Sequence, residues 1–140
     1  MNAEEVREFL TALPPRTGKL ATVRADGRPH LAPVWYDVDD DGSLVFNTGA
    51  STVKGRNLQR DPRASFCVDD ERPPFSFVVV EGVAELSDDL AEVRAWAARI
   101  GGRYMGPERA EEYGARNGVP GEFVVRLRPR AVVSAQDLAE

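Results

Sequence analysis

The sequence predicts a mainly β protein, an antiparallel β-barrel with flanking helices. Three observations support this: many short apolar or alternating runs are separated by turn signals, helical patterns are few, and strands and helices do not alternate as a parallel sheet requires. At 140 residues the chain reads as one domain, 1–140, of a size that buries roughly two-thirds of the surface its unfolded form exposes. The hydrophobic share of 42% and charged share of 29% are those of an ordinary globule.

Asn2 and Glu5 spell a capping box for a first helix. Val6, Phe9, Leu10 and Leu13 follow at helical spacing until Pro14-Pro15 stops it. KLATVR, the turn Ala25-Asp26-Gly27 and RPHLAPVWYDV form a hairpin. Pro29 and Pro33 remove two ladder donors, so the second strand is expected at an edge, or bulged, with backbone available to a ligand. SLVFN is a third strand, residues 52–60 a short helix ended by Asp61-Pro62, and ASFCV a fourth strand. The fifth, 75–85, is apolar on both faces in its first half: Phe75, Phe77 and Val79 on one side, Val78 and Val80 on the other. In a small barrel the outer side needs a helix or a second subunit over it, so this strand is the residue-level pointer to a dimer. Ser87 is read as the cap of a helix through Ile100, with Leu90, Val93, Ala97 and Ile100 in one stripe and Trp96 beside it. A Gly- and Arg-rich segment then carries a short helix over 107–116, and EFVVRLRP with AVVS ends the chain on strands before a polar tail, 135–140.

Several chemistries are excluded or disfavoured. Asp37, Asp39, Asp41 and Gly42 open like a calcium-binding EF-hand loop, but its twelfth position is Thr48 and strand patterns flank it, so a hydrophilic turn is expected. The single His30 supports neither zinc nor a nucleophilic triad, except as a pair with Cys67, which sits in an apolar strand pattern where an inert buried thiol is the simpler reading. No GxGxxG occurs, and Lys54 follows Gly49 where a P-loop requires Gly. A net charge of −5 and a pI near 5.0 argue against nucleic acid as a partner. No run approaches the roughly 18 apolar residues of a membrane span, and the acidic start (Glu4, Glu5, Glu8) lacks the regions of a signal peptide, so no membrane association and a cytoplasmic location are expected.

One junction stands out. FNTGASTVKGRNLQRDPR joins a strand end, a polar turn and a basic helix, and helix starts offer unpaired N–H groups and a positive dipole end. Asn47, Thr48, Ser51 and Thr52 add hydrogen-bonding side chains before Lys54, and residues 54–63 carry four cations against the single anion Asp61. A solvated helix face is the alternative for Lys54, Arg56, Arg60 and Arg63. With no acid–base machinery in view, a phosphate anchor fits an enzyme whose cofactor carries the reactivity.

The order GKLATVRADGRPHLAPVWYDVDDDGSLVFNTGASTVKGRNLQRDPRASFCV resembles the split-barrel flavin-binding superfamily of pyridoxamine 5′-phosphate oxidase, most closely its branch of deazaflavin (coenzyme F-420) dependent reductases. TVKGRNLQRDPR is the most specific piece, and VVVEGVAEL and VVSAQDL extend the likeness over nearly the whole chain. The resemblance implies an FMN-binding-protein-like split barrel and a homodimer with cofactor sites at the subunit interface. It implies a reductase passing hydride from F-420 to a small conjugated or electron-poor acceptor. The alternatives are an FMN-dependent oxidase or reductase, or a non-catalytic flavin- or tetrapyrrole-binding module. The oxidases place phosphate-binding groups at a strand-end Thr and at an Arg-Lys pair; Thr48 and Lys54 match, while Val53 replaces the Arg. Their cofactor-facing strand matches Ala32, Pro33, Val34 and Trp35, with Ala32 where they carry another Arg. Both departures count against FMN-dependent pyridoxamine phosphate oxidation and are compatible with the deazaflavin branch, whose Lys-x-Arg-Asn-Leu helix is Lys54, Arg56, Asn57 and Leu58 here, with Arg56 or Arg60 available to the cofactor's acidic tail.

Overall fold

Asn2 and Glu5 close the capping box, each side chain taking the other's backbone N–H at 2.8 and 3.1 Å, and so start α1 (Ala3–Thr11) in the computed structural model, which describes residues 1–140. The helix ends before the prolines because Pro14 disfavours the helical region for Leu13. Leu13 is therefore outside the helix and 74% exposed, not part of the apolar stripe.

The strands are β1 (Gly18–Val23), β2 (Pro29–Val34), β3 (Asp37–Val38), β4 (Leu44–Gly49), β5 (Arg63–Asp70), β6 (Ser76–Ser87) and β7 (Glu122–Ala135). They form one antiparallel sheet in the order β2-β1-β5-β6-β7-β4-β3. β2 is an edge strand, as its prolines require. The expected single strand over 28–38 is instead broken at Trp35-Tyr36. Tyr36 is fully buried and its hydroxyl donates to the Leu10 carbonyl at 2.7 Å, which pulls the backbone out of the ladder. Because β2 runs almost directly into β3, the two edges are consecutive in the chain and the sheet curls on itself around the core. That core includes Leu20, Val34, Tyr36, Leu44, Phe46, Phe66, Val78, Val80 and Leu127. The architecture is the mainly β split barrel expected from the sequence.

The helices are α1, α2 (Val53–Arg60), α3 (Leu90–Met105) and α4 (Ala110–Asn117), with a 3-10 turn at Pro107–Arg109. Asp89, not Ser87, caps α3: its carboxylate accepts from Glu92 N at 3.1 Å, while Ser87 ends β6. Leu90 is exposed, and Val93, Trp96, Ala97 and Ile100 carry the buried face, with Val93, Trp96 and Ile100 packing on Val45 and Val124. The Gly-rich segment is helical as far as Met105, because Gly101 and Gly102 let α4 close in. A Cβ at Gly101 would overlap that of Tyr113.

β6 resolves two apolar faces, except that Phe75 lies before the strand at a φ of 66° and is exposed, so it does not join the face of Phe77 and Val79 as the pattern predicts. Val78 and Val80 are buried in the core, while Phe77 and Val79 lie half-buried on the outer surface with Leu31 (68% exposed) and Val133 (61%). No helix of the chain is long and apolar enough to cross a membrane.

Candidate cofactor site

The strand-to-helix junction is built from a chain of hydroxyls. Thr52 caps α2, accepting from Gly55 N at 3.1 Å and donating to the Gly49 carbonyl at 2.8 Å. Thr48, buried in the end of β4, meets the Thr52 hydroxyl at 3.2 Å. With its own hydrogen given to Gly49, Thr52 receives one from Thr48. Gly55 is required at this place, since a Cβ there would overlap the Gly49 carbonyl and push α2 off the strand.

The cap satisfies Gly55 N, and Arg56 N bonds the Thr52 carbonyl at 2.9 Å. The amides of Ser51, Val53 and Lys54 have no protein acceptor, and the Ser51 side chain is exposed. Lys54 makes no ion pair and is half-buried. The anchor is therefore three free N–H groups at the positive end of a helix with an uncommitted ammonium beside them. A carboxylate lies close by: Glu122 on β7 is paired in register with Gly49, and burial raises its pKa while Lys54 lowers it. The sequence reading took this segment only as a strand and missed Glu122, whose approach depends on the β4–β7 register.

Other residues assigned to the site serve the scaffold. Asn57 is buried and its amide donates to Thr22 Oγ1 at 3.0 Å, while its Oδ1 accepts from Arg60 at 3.3 Å. Arg60 also donates to the Val23 carbonyl. The pair ties α2 to β1. Asn47 and Thr48 point to opposite faces of β4, as consecutive strand residues must; Asn47 faces α3 and donates to the Val93 carbonyl at 3.3 Å. Val34 is buried in the core, and Trp35 stacks on Tyr104 at 5.0 Å with Tyr113 edge-on at 5.7 Å. Within the predicted cofactor-facing stretch, Ala32 and Pro33 remain on the open edge strand. Arg56 is exposed and faces a hollow of about 320 Å³ shared with Arg24, Arg28, Val53 and Arg60. Arg28 is held by Asp26 at 2.7 Å, whereas Arg24 and Arg56 have no carboxylate partner. Arg24 and Arg28 were absent from the sequence-derived site, since only the fold carries the β1–β2 turn to the side of α2.

The register also removes the Cys67–His30 pair. Cys67 lies opposite Lys19 and His30 opposite Thr22. Lys19 and Thr22 are three residues apart on β1 and face opposite sides of the sheet. Cys67 is half-buried on the outer face, where burial raises its thiol pKa.

A family model described as pyridoxamine 5′-phosphate oxidase matches residues 3–134. The chain belongs to that family. Among relatives, it is 32% identical over 124 residues to a 5a,11a-dehydrotetracycline/5a,11a-dehydrooxytetracycline reductase of Streptomyces rimosus, an alignment covering 84% of this chain and 72% of that one. It is 37% identical over 90 residues to a pyridoxine/pyridoxamine 5′-phosphate oxidase of Pseudomonas putida, covering 59% of this chain and 40% of that enzyme. The chain spans about half the length of the oxidases it matches. Among solved structures, a conserved hypothetical protein of Mycobacterium tuberculosis superposes with a TM-score of 0.85 at 32% identity, covering 100% of this chain and 89% of that one. An F-420 reductase superposes at 0.73 with 27% identity, covering 95% and 97%. This member of the pyridoxamine 5′-phosphate oxidase family is, with its relatives, an oxidoreductase.

Proposed function

We propose that the protein is a homodimeric reductase that binds coenzyme F-420 at the start of α2 and reduces a small conjugated organic acceptor. The observation that carries this reading is the anchor: the free amides of Ser51, Val53 and Lys54 and the uncommitted Lys54 ammonium suit a cofactor phosphate. The Thr48–Thr52 hydroxyl chain holds them in place. The hollow beside it, with unpaired Arg24 and Arg56, suits an acidic tail running from that phosphate along α2. Ala32 and Pro33 offer the open strand edge to a flat ring. When bound, reduced F-420 supplies a hydride. The chain's own residues orient the cofactor, and none of them is assigned as a proton donor.

Val53 and Ala32 remove two cations that FMN oxidases use, which favours the deazaflavin over FMN. The F-420 reductase neighbour points the same way, and the reductase relative supports reduction of an organic acceptor. FMN remains the second reading, supported by Thr48 and Lys54 at matching positions and by the oxidase relatives. The outer apolar face around Leu31, Phe77, Val79 and Val133 supports the dimer, which would bring a second subunit over the β2 edge. Purified protein supplied with reduced F-420 and a conjugated enone should oxidise the cofactor. Tight binding without turnover of any acceptor would make it a binding module instead.

A further inference from the structure

Glu122 puts a carboxylate at an anion anchor, and nothing in phosphate binding as such calls for one. The backbone fixes its place. β4 and β7 pair Gly49 with Glu122, the Ala50 amide donates to the Gly121 carbonyl at 2.8 Å, and Gly121 takes a φ of 93° where the chain turns into β7. Gly49 has no side chain, and the Glu122 carboxylate lies over the space this leaves: a Cβ on Gly49 would be 2.8 Å from Glu122 Oε2 and 3.4 Å from the Thr52 methyl. The carboxylate and the cap of α2 therefore flank one point. The free amides of Ser51 and Val53 are the chain neighbours of Thr52 on either side.

Glu122 is half-buried and makes no ion pair. The cation that bears on it is Lys54, and burial outweighs that cation, so its carboxyl titrates above the ordinary value. Lys54 and Glu122 together bring no net charge to the anchor. The helix start and its amides still attract one negative charge. A second charge on the same phosphate gains nothing from this pair of side chains, since Glu122 removes what Lys54 contributes, and its desolvation is left uncompensated.

This balance separates two kinds of phosphate. A monoester carries about −1.5 to −2 at neutral pH, because its second proton leaves near pH 6. A diester has one ionisable oxygen and carries a single charge. We infer that Glu122 is a specificity-determining residue of the anchor, admitting a phosphodiester monoanion and disfavouring a phosphomonoester dianion. The inference rests on the anchor reading and deepens it, since the phosphate of F-420 is a diester and that of FMN a monoester. The hollow beside Val53 fits the same choice: a diester continues beyond its phosphate, and Arg24 and Arg56 line a place for the continuing chain.

The test is fluorescence titration of the unaltered protein, Glu122→Gln and Glu122→Asp with F-420 and with FMN at about pH 8, where the monoester is doubly charged. Removing the carboxylate charge should tighten FMN about tenfold and F-420 about threefold or less, because the repulsion acts on two charges in one and on one in the other. Glu122→Asp keeps the charge and should keep the preference of the unaltered protein. Amide NMR of residues 51–54 in the same titrations reports whether the phosphate sits at the anchor. If both cofactors shift those amides and Glu122→Gln tightens them equally, or leaves FMN affinity unmoved, Glu122 does not select and the inference fails while the anchor stands. Gln and Asp variants that behave alike would overturn it as well, since charge would then not be what decides. If neither cofactor shifts those amides at saturation, anchor and inference fail together.

Discussion

Two polar turns of this molecule look alike in the sequence and are used in opposite ways. The acidic stretch from β3 into the following turn spends its charge on the fold. Asp37 is bridged by Arg99 and Arg103, both at 2.9 Å, Asp39 by Arg126 at 3.5 Å, and Asp41 by Arg128 at 3.0 Å. The basic turn at the start of α2 leaves its charge uncommitted, with Lys54, Arg56 and the neighbouring Arg24 lacking any carboxylate within bonding distance. Charge density alone does not mark a ligand site. What marks one is charge the fold has gathered and not neutralised.

The contrast can be broken first at its structural end. Arg103 is 8% exposed, pairs with Asp37, donates to the Leu10 carbonyl at 3.0 Å and lies over Tyr36. Replacing it with Met leaves Asp37 to Arg99 alone and removes a charged donor from the Leu10 carbonyl, which should cost about 1.5–3 kcal/mol in denaturant unfolding, with cofactor affinity of the folded fraction unchanged. Lys54→Ala is the mirror experiment. Affinity for F-420 should fall by about 1.5–3 kcal/mol, the worth of a charge-assisted bond, with the unfolding midpoint unmoved. Thr52→Ala probes both roles, since the hydroxyl caps α2 and aligns Thr48; loss of a cap costs about 1 kcal/mol of stability, and calorimetry should show weaker cofactor binding in the same variant. The smallest effect is expected at Arg128, half-exposed over Glu85 and Asp41. Arg128→Ala should change stability by less than about 1 kcal/mol, a loss that salt erases.

The sequence made the junction readable because its signals are local. The short helix and its stop at Asp61-Pro62 depend on neighbours within a turn, and the structure reproduces them, with Thr52 as the cap and not as the first helical residue. The prolines of β2 placed that strand at an edge by the same kind of argument. What escaped the sequence depends on long-range packing. Trp35 leaves the strand because Tyr104, from α3, offers it a stacking surface. Asn47 belongs to the α3 side because β4 must put Phe46 and Thr48 inward. Asn57 reads as a ligand in the motif and is a strut in the fold, since Thr22 meets it from β1. Glu122 and Arg24 reach the site only through the pairing of distant strands. Gly101 and Gly102 read as loop until α4 is seen packed against them.

The central claim, that the uncommitted cation at the start of α2 holds a deazaflavin cofactor, is tested most directly by parallel titration of the protein and its Lys54→Ala variant with F-420 and with FMN. The account predicts that the unaltered protein binds F-420 more tightly than FMN and that the variant loses about tenfold or more of that affinity, matching the loss of one charge-assisted bond. Tighter binding of FMN, or F-420 affinity unchanged in the variant, would contradict it.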